Sequence, residues 1–172
     1  RFSGTRILVV GDIIMDKYVW GHVSRISPEA PVPVVEVKTE TIRLGGAANV
    51  LNNIAALGGH AVLCGVVGED RMGRKLVDEI RVMGLPDDGI LRANDRPTSV
   101  KSRVVAHSQQ VVRFDRESRR AIDSKEAEHI LDFARSKVDD IDAVVVADYG
   151  KGVVSEQMMA GLRALVDQSG KI

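Results

Sequence analysis

Residues 44–59 read LGGAANVLNNIAALGG, from Leu44 to Gly59. Ala47, Val50, Leu51, Ile54, Ala55 and Leu57 recur at helical spacing, so a helix is expected from Gly46 to about Leu57, ended by Gly58 and Gly59. Two adjacent glycines, Gly45 and Gly46, stand where that helix begins. They weaken its start but let a ligand approach the backbone closely. The first amides of a helix point outward unpaired, and its dipole favours negative or polar atoms there. Asn49, one turn in, can both donate and accept toward the same spot. The opposing reading is a tight turn with a structural asparagine.

On the N-terminal side, RILVVGD is a short β-branched run ended by Gly11, the pattern of a fully buried strand. Between it and the glycine pair lies an excursion containing Pro28, Pro31 and Pro33, residues that a central strand excludes. Short strands around Tyr18–Trp20 and Val34–Val37 fit an edge ribbon. On the C-terminal side, Ala61–Val67 is a second buried strand. Met72–Met83 is an amphipathic helix closed by Gly84 and Pro86, and a short strand is expected at Gly89–Arg92. Two β-rich runs broken at His107–Gln109 form a hairpin. Ser124–Val138 is a helix with Ser124 as its N-cap, DAVVVADYGKG is strand then loop, and Ser155–Ser169 is a helix capped by Ser155 and stopped by Gly170. Strands alternating with helices at crossover distance specify an α/β fold with a parallel sheet. Lys171 and Ile172 resemble the start of another strand, as if these residues were the N-terminal part of a larger fold.

The 172 residues suffice for one domain with a sizeable core. Lys plus Arg equal Asp plus Glu at 24 each, which removes the electrostatic case for nucleic acid, and 3% aromatics removes the stacking case. The single cysteine, Cys64, excludes an internal disulfide and reads as a small buried core residue. No run approaches the roughly 18 apolar residues of a membrane helix. The apolar stretch Ile7–Val10 leads straight into Asp12, unlike a signal peptide. A cytoplasmic protein with no membrane partner is expected. His22, His60, His107 and His129 fall on separate elements without ligand spacing, which argues against a metal centre. The fingerprints of dinucleotide folds, P-loops and hydrolase elbows are absent.

Ligands of open α/β sheets sit beyond the carboxyl ends of the strands, and three such places carry chemistry. Asp12 and Asp16 follow the first strand; paired carboxylates suit sugar hydroxyls or a metal, while Asp12 could instead cap a turn. The glycine pair with Asn49 is the second. Asp148 and Lys151 in ADYGKG form the third, able to hold a hydroxyl and a phosphate, or simply a solvated loop. Lys101, Arg103, Arg113 and Arg116 on the hairpin, beside Arg25 in the excursion, suit phosphate, although single charges on a ribbon are commonly solvated.

Taken together these residues resemble the N-terminal half of the ribokinase-like (PfkB) carbohydrate kinases. GGAANV followed by Gly58 and Gly68 matches that family's first signature, with Leu51 standing where a small residue is usual, and Gly11 with Asp16 matches its sugar-binding loop. Within the family, GDIIMDKYVWGHVSRISPEAPVPVV, QQVVRFD and DYGKG are similar to the D-glycero-β-D-manno-heptose-7-phosphate kinases that form the first domain of bifunctional heptose kinase/adenylyltransferases. The resemblance implies a ribokinase-like parallel sheet flanked by helices, with a small β-lid built from segments of about 17–43 and 97–117. It implies ATP- and Mg2+-dependent phosphorylation of the anomeric hydroxyl of heptose 7-phosphate, for ADP-heptose and lipopolysaccharide core synthesis. By that analogy Asp12, Asp16, Gly45, Gly46 and Asn49 contact sugar hydroxyls, with Asp148 and Lys151 at the same rim. Lys101, Arg103 and Arg113 are candidates for the substrate phosphate. A homodimer through the lid is implied, with Arg25 reaching across it. The family's base and anion hole lie in a Gly-Ala-Gly-Asp segment that these residues do not contain, so the chain alone is expected not to turn over. A kinase for another sugar, or a non-catalytic binding or dimerisation module, are the alternatives.

Overall fold

The computed structural model describes residues 3–172. Its centre is a four-stranded parallel sheet in the order β5-β4-β1-β8, made of β1 (Arg6–Gly11), β4 (His60–Gly68), β5 (Ile90–Ala93) and β8 (Ala143–Ala147). Alternate residues of β1 serve opposite faces. Ile7 and Val9 pack with Leu51 and Ile54 of α1 (Ala47–Ala56) and with Leu76 and Ile80 of α2 (Arg71–Val82). Leu8 and Val10 pack with Ile130 and Leu131 of α3 (Ser124–Lys137) and with Met158 and Leu162 of α4 (Glu156–Ser169). Burial of both sheet faces explains why β1 reads as a continuous apolar run. Cys64 is fully buried in the second layer, and its burial pushes the thiol up to about 12.

The second sheet has the order β3-β2-β6-β7 and comprises β2 (Ile13–Ile26), β3 (Pro33–Gly46), β6 (Ser99–Ala106) and β7 (Gln109–Arg116). The short strands expected around Tyr18–Trp20 and Val34–Val37 are parts of two 14-residue strands. The prolines do not interrupt them, because Pro28 and Pro31 fall in the connecting tip and Pro33 is the first residue of an edge strand. β6 joins β2 in parallel after the chain has traversed α1, β4, α2 and β5. It then turns back at His107–Ser108, both at positive φ, into β7.

The helix ends follow local chemistry. Asp70 caps α2 by accepting from the Gly73 amide, and it also accepts from the Thr98 amide and hydroxyl, tying α2 to the entry of β6. Burial raises the Asp70 pKa, but these bonds outweigh it and hold the carboxyl below its ordinary value. The expected cap of α3 is corrected by one residue: Asp123, not Ser124, is the N-cap, in a reciprocal capping box with Glu126. Ser155 caps α4 and Gly170 closes it in the left-handed conformation, as expected. The Ile172 carbonyl accepts from the Val144 amide, so the last residue returns to the edge of β8.

Candidate substrate site

Asp12 is the residue where the two sheets part. Its amide donates to the Ala147 carbonyl at the end of β8, and its carbonyl accepts from Ala47, the first residue of α1. Its carboxylate accepts from the amides of Tyr149 at 2.7 Å, Lys151 at 3.0 Å and Val153 at 3.1 Å. Asp12 is 1% exposed. The structure therefore gives it a different task from the sugar contact expected of it. It holds the loop after β8 in place, as a turn-capping carboxylate does.

α1 begins bare. Its N-cap is Gly46 at φ 57°, no side chain caps it, and no acidic residue occupies its first turn. A Cβ at Gly46 would collide with the Asp12 carbonyl oxygen, which explains the glycine. A Cβ at Gly45 would lie 2.5 Å from Asp16 Oδ2, so Gly45 leaves the space that this carboxylate occupies. Asn49 is exposed and lines a cleft of about 240 Å3 with Arg43, Leu44, Asn52 and Glu79.

Asp16 lies on β2, where the ladders place it opposite Arg43 of β3 and Lys101 of β6. Arg103 lies opposite Tyr18 of β2 and Arg113 of β7. Directly paired residues share a sheet face, so Asp16, Lys101, Arg103 and Arg113 are gathered on one face of the second sheet. Arg103 Nη1 is 2.5 Å from Asp16 Oδ1, and its guanidinium carbon is 5.4 Å from the Tyr18 ring centroid. The hydrogen bond to Asp16 raises the Arg103 pKa above its ordinary value. Arg113 Nε is 3.1 Å from Asp115.

The third place is differently arranged than its residue types suggest. Asp148 is exposed and accepts from the Gly150 amide in a local turn. Lys151 is buried; its Nζ lies 2.8 Å from Glu117 Oε2, with side-chain exposures of 9% and 12%. Hydrogen bonding to Lys151 holds the Glu117 carboxyl below its ordinary value. Arg96, itself buried, donates to the Lys151 carbonyl at 2.5 Å. The Lys151 ammonium is thus part of an internal network rather than an open phosphate ligand. Glu117, Arg96 and Tyr18 were not legible as site residues. Only Tyr18 carried a usable signal, its alternation with Asp16 along one strand.

The pfkB family carbohydrate kinase profile matches residues 5–172. The chain belongs to the pfkB family of carbohydrate kinases. Among curated pfkB-type relatives it is 44% identical over 170 residues to "Bifunctional protein HldE" of Desulfatibacillum aliphaticivorans, covering 99% of this chain and 35% of that protein. It is 45% identical over 174 residues to the protein of the same name from Wolinella succinogenes, covering 96% of this chain and 37% of that one. The chain therefore spans roughly a third of the length of these relatives. Among solved structures, Arabidopsis thaliana ribokinase complexed with ribose and ATP superposes with a TM-score of 0.66 at 18% identity, over 98% of this chain and 52% of the other. At that identity the likeness speaks for the fold, and the fold agrees with the ribokinase-like sheet flanked by helices. Among the described residues no helix is long and apolar enough to cross a membrane.

Proposed function

We propose that this chain is the sugar-binding side of a cytoplasmic kinase that transfers a phosphoryl group from ATP to the anomeric hydroxyl of D-glycero-β-D-manno-heptose 7-phosphate, for ADP-heptose and lipopolysaccharide core synthesis. The observation that carries the reading is the polar face of the lid. A carboxylate able to accept hydrogen bonds from hydroxyls, Asp16, stands among Lys101, Arg103 and Arg113, beside the bare start of α1. A ligand that is both polyol and phosphate needs that combination. The distinctive stretch SRISPEAPVPV, at the tip joining β2 to β3, supports the heptose phosphate among pfkB substrates. Asp16, Gly45, Gly46 and Asn49 serve the sugar, and Lys101, Arg103 and Arg113 the phosphate. Asp12 positions the loop bearing Asp148 and Lys151.

Mg2+ accompanies ATP in this proposal. Among the described residues no group of three or more His, Cys, Asp or Glu gathers as a metal site. The base that takes the hydroxyl proton and the anion hole are assigned to the family's Gly-Ala-Gly-Asp segment, which the 172 residues do not contain. This chain alone is expected to bind sugar phosphate and to release no ADP. The opposite lid face bears an apolar groove of about 540 Å3, with Val19, Val35, Val37, Val104 and Val112 among its lining residues, which supports a homodimer through the lid. Thermal unfolding with heptose 7-phosphate, and with fructose 6-phosphate as control, tests the substrate. A ligand bound only by the folded state raises the melting temperature. A rise with the heptose alone is expected, and a rise with neither sugar on a cooperatively melting sample overturns the assignment to these residues.

A further inference from the structure

Asp16 and Arg103 come from strands 87 residues apart, yet each is the other's partner. The pair is half-buried, at 21% side-chain exposure for Arg103 and 23% for Asp16. Tyr18 supports the guanidinium from below, and Asp16 Oδ2 faces the backbone of Gly45. Nη1 is engaged by Asp16, while a guanidinium fork has five donors in all. Arg113 stands directly across the ladder from Arg103, and Lys101 across from Asp16.

We propose that the Asp16–Arg103 pair is an electrostatic gate by which the site selects anionic sugars over neutral ones. A neutral polyol can offer hydroxyls to both Asp16 and Arg103 but no negative charge to Arg103. Drawing the carboxylate away therefore leaves a half-buried guanidinium without its anion. A sugar phosphate supplies both halves of the exchange: its hydroxyls take Asp16, and its phosphate takes the arginine fork in the carboxylate's place. The selection against neutral sugars then comes from a contact made before any ligand arrives. The inference rests on the reading of this face as a sugar-phosphate site. It adds that Arg103 sets specificity through Asp16 as well as by touching phosphate.

The test uses the full-length protein and three probes: inorganic phosphate, heptose 7-phosphate and the same heptose without its phosphate, with affinities from calorimetry and ligand-induced melting shifts. Asp16→Asn removes the internal anion, so inorganic phosphate should bind about tenfold tighter than to wild type. Arg103→Gln should abolish that gain when combined with Asp16→Asn. Alone, it should bind the unphosphorylated heptose more tightly, because the carboxylate is released. Arg103→Lys keeps the charge without the fork and should discriminate between the two sugars less than wild type. Unchanged phosphate affinity in Asp16→Asn, or wild-type discrimination in Arg103→Gln and Arg103→Lys, overturns the gate. If wild type ignores heptose 7-phosphate while the phosphate pattern holds, the sugar assignment fails and the gate stands. If wild type and Arg103→Gln bind heptose 7-phosphate equally, the gate fails and the sugar assignment stands.

Discussion

At Gly45 a single hydrogen atom separates room for the Asp16 carboxylate from a steric block. Gly45→Ala places a methyl 2.5 Å from Asp16 Oδ2 and 3.3 Å from the Ile14 carbonyl, so the carboxylate or the strand must move. The variant should melt with a loss of about 1–3 kcal/mol and show no stabilisation by sugar phosphate, as read by thermal unfolding with and without ligand. Cys64, fully buried and pushed up to about 12, should resist alkylation in the native protein at pH 8 and react once denatured, as followed by mass spectrometry. Residue-scale chemistry was partly legible. Glycines, a carboxylate and cations are the residue types that the proposed polyol-phosphate site requires. What residue type could not show is partnership. Asp12 and Lys151 look as open as Asp16 in a string of letters, but backbone amides claim the first and Glu117 claims the second.

The elements separate two kinds of signal. β1 and β4 were legible because strands buried on both faces read as continuous apolar runs, and α1 and α2 because one apolar face imposes a period of about 3.6. The lid strands were not read at full length, because their outward residues alternate poorly and prolines cluster at the tip. Proline interrupts a strand interior but not its first residue or its turn. Caps carry the same lesson at finer grain. Asp123→Ala should destabilise by about 1 kcal/mol in denaturant titration, whereas Ser124→Ala should be near neutral, because the capping oxygen belongs to Asp123. The lid hairpin turns through His107 at φ 51° and Ser108 at φ 63°, a conformation suited to Asn-Gly. Ser108→Gly should therefore raise stability by up to about 1 kcal/mol, because relief of the left-handed strain exceeds glycine's extra chain entropy, measured as a higher denaturation midpoint.

Across the whole molecule, Glu117–Lys151 links the lid, just past β7, to the central sheet at the loop after β8, and a pH scan can reach it. Glu117 has a folded pKa depressed below its ordinary 4.5, chiefly by its bond to Lys151. Its contribution is therefore complete above 4.5 and is lost as pH falls through the lower folded value. Glu117→Gln should flatten the acid limb of melting temperature against pH. At neutral pH, Glu117→Gln combined with Lys151→Met should be more stable than Glu117→Gln alone, which strands a nearly buried ammonium. Asp12 joins the same parts more firmly. One side chain holds the amides of Tyr149, Lys151 and Val153, while its backbone ties the end of β8 to the start of α1. Those three amide protons cannot leave one by one through local fraying. In a deuterium pulse they should be replaced as a set, at the rate at which the junction of the two sheets itself comes apart.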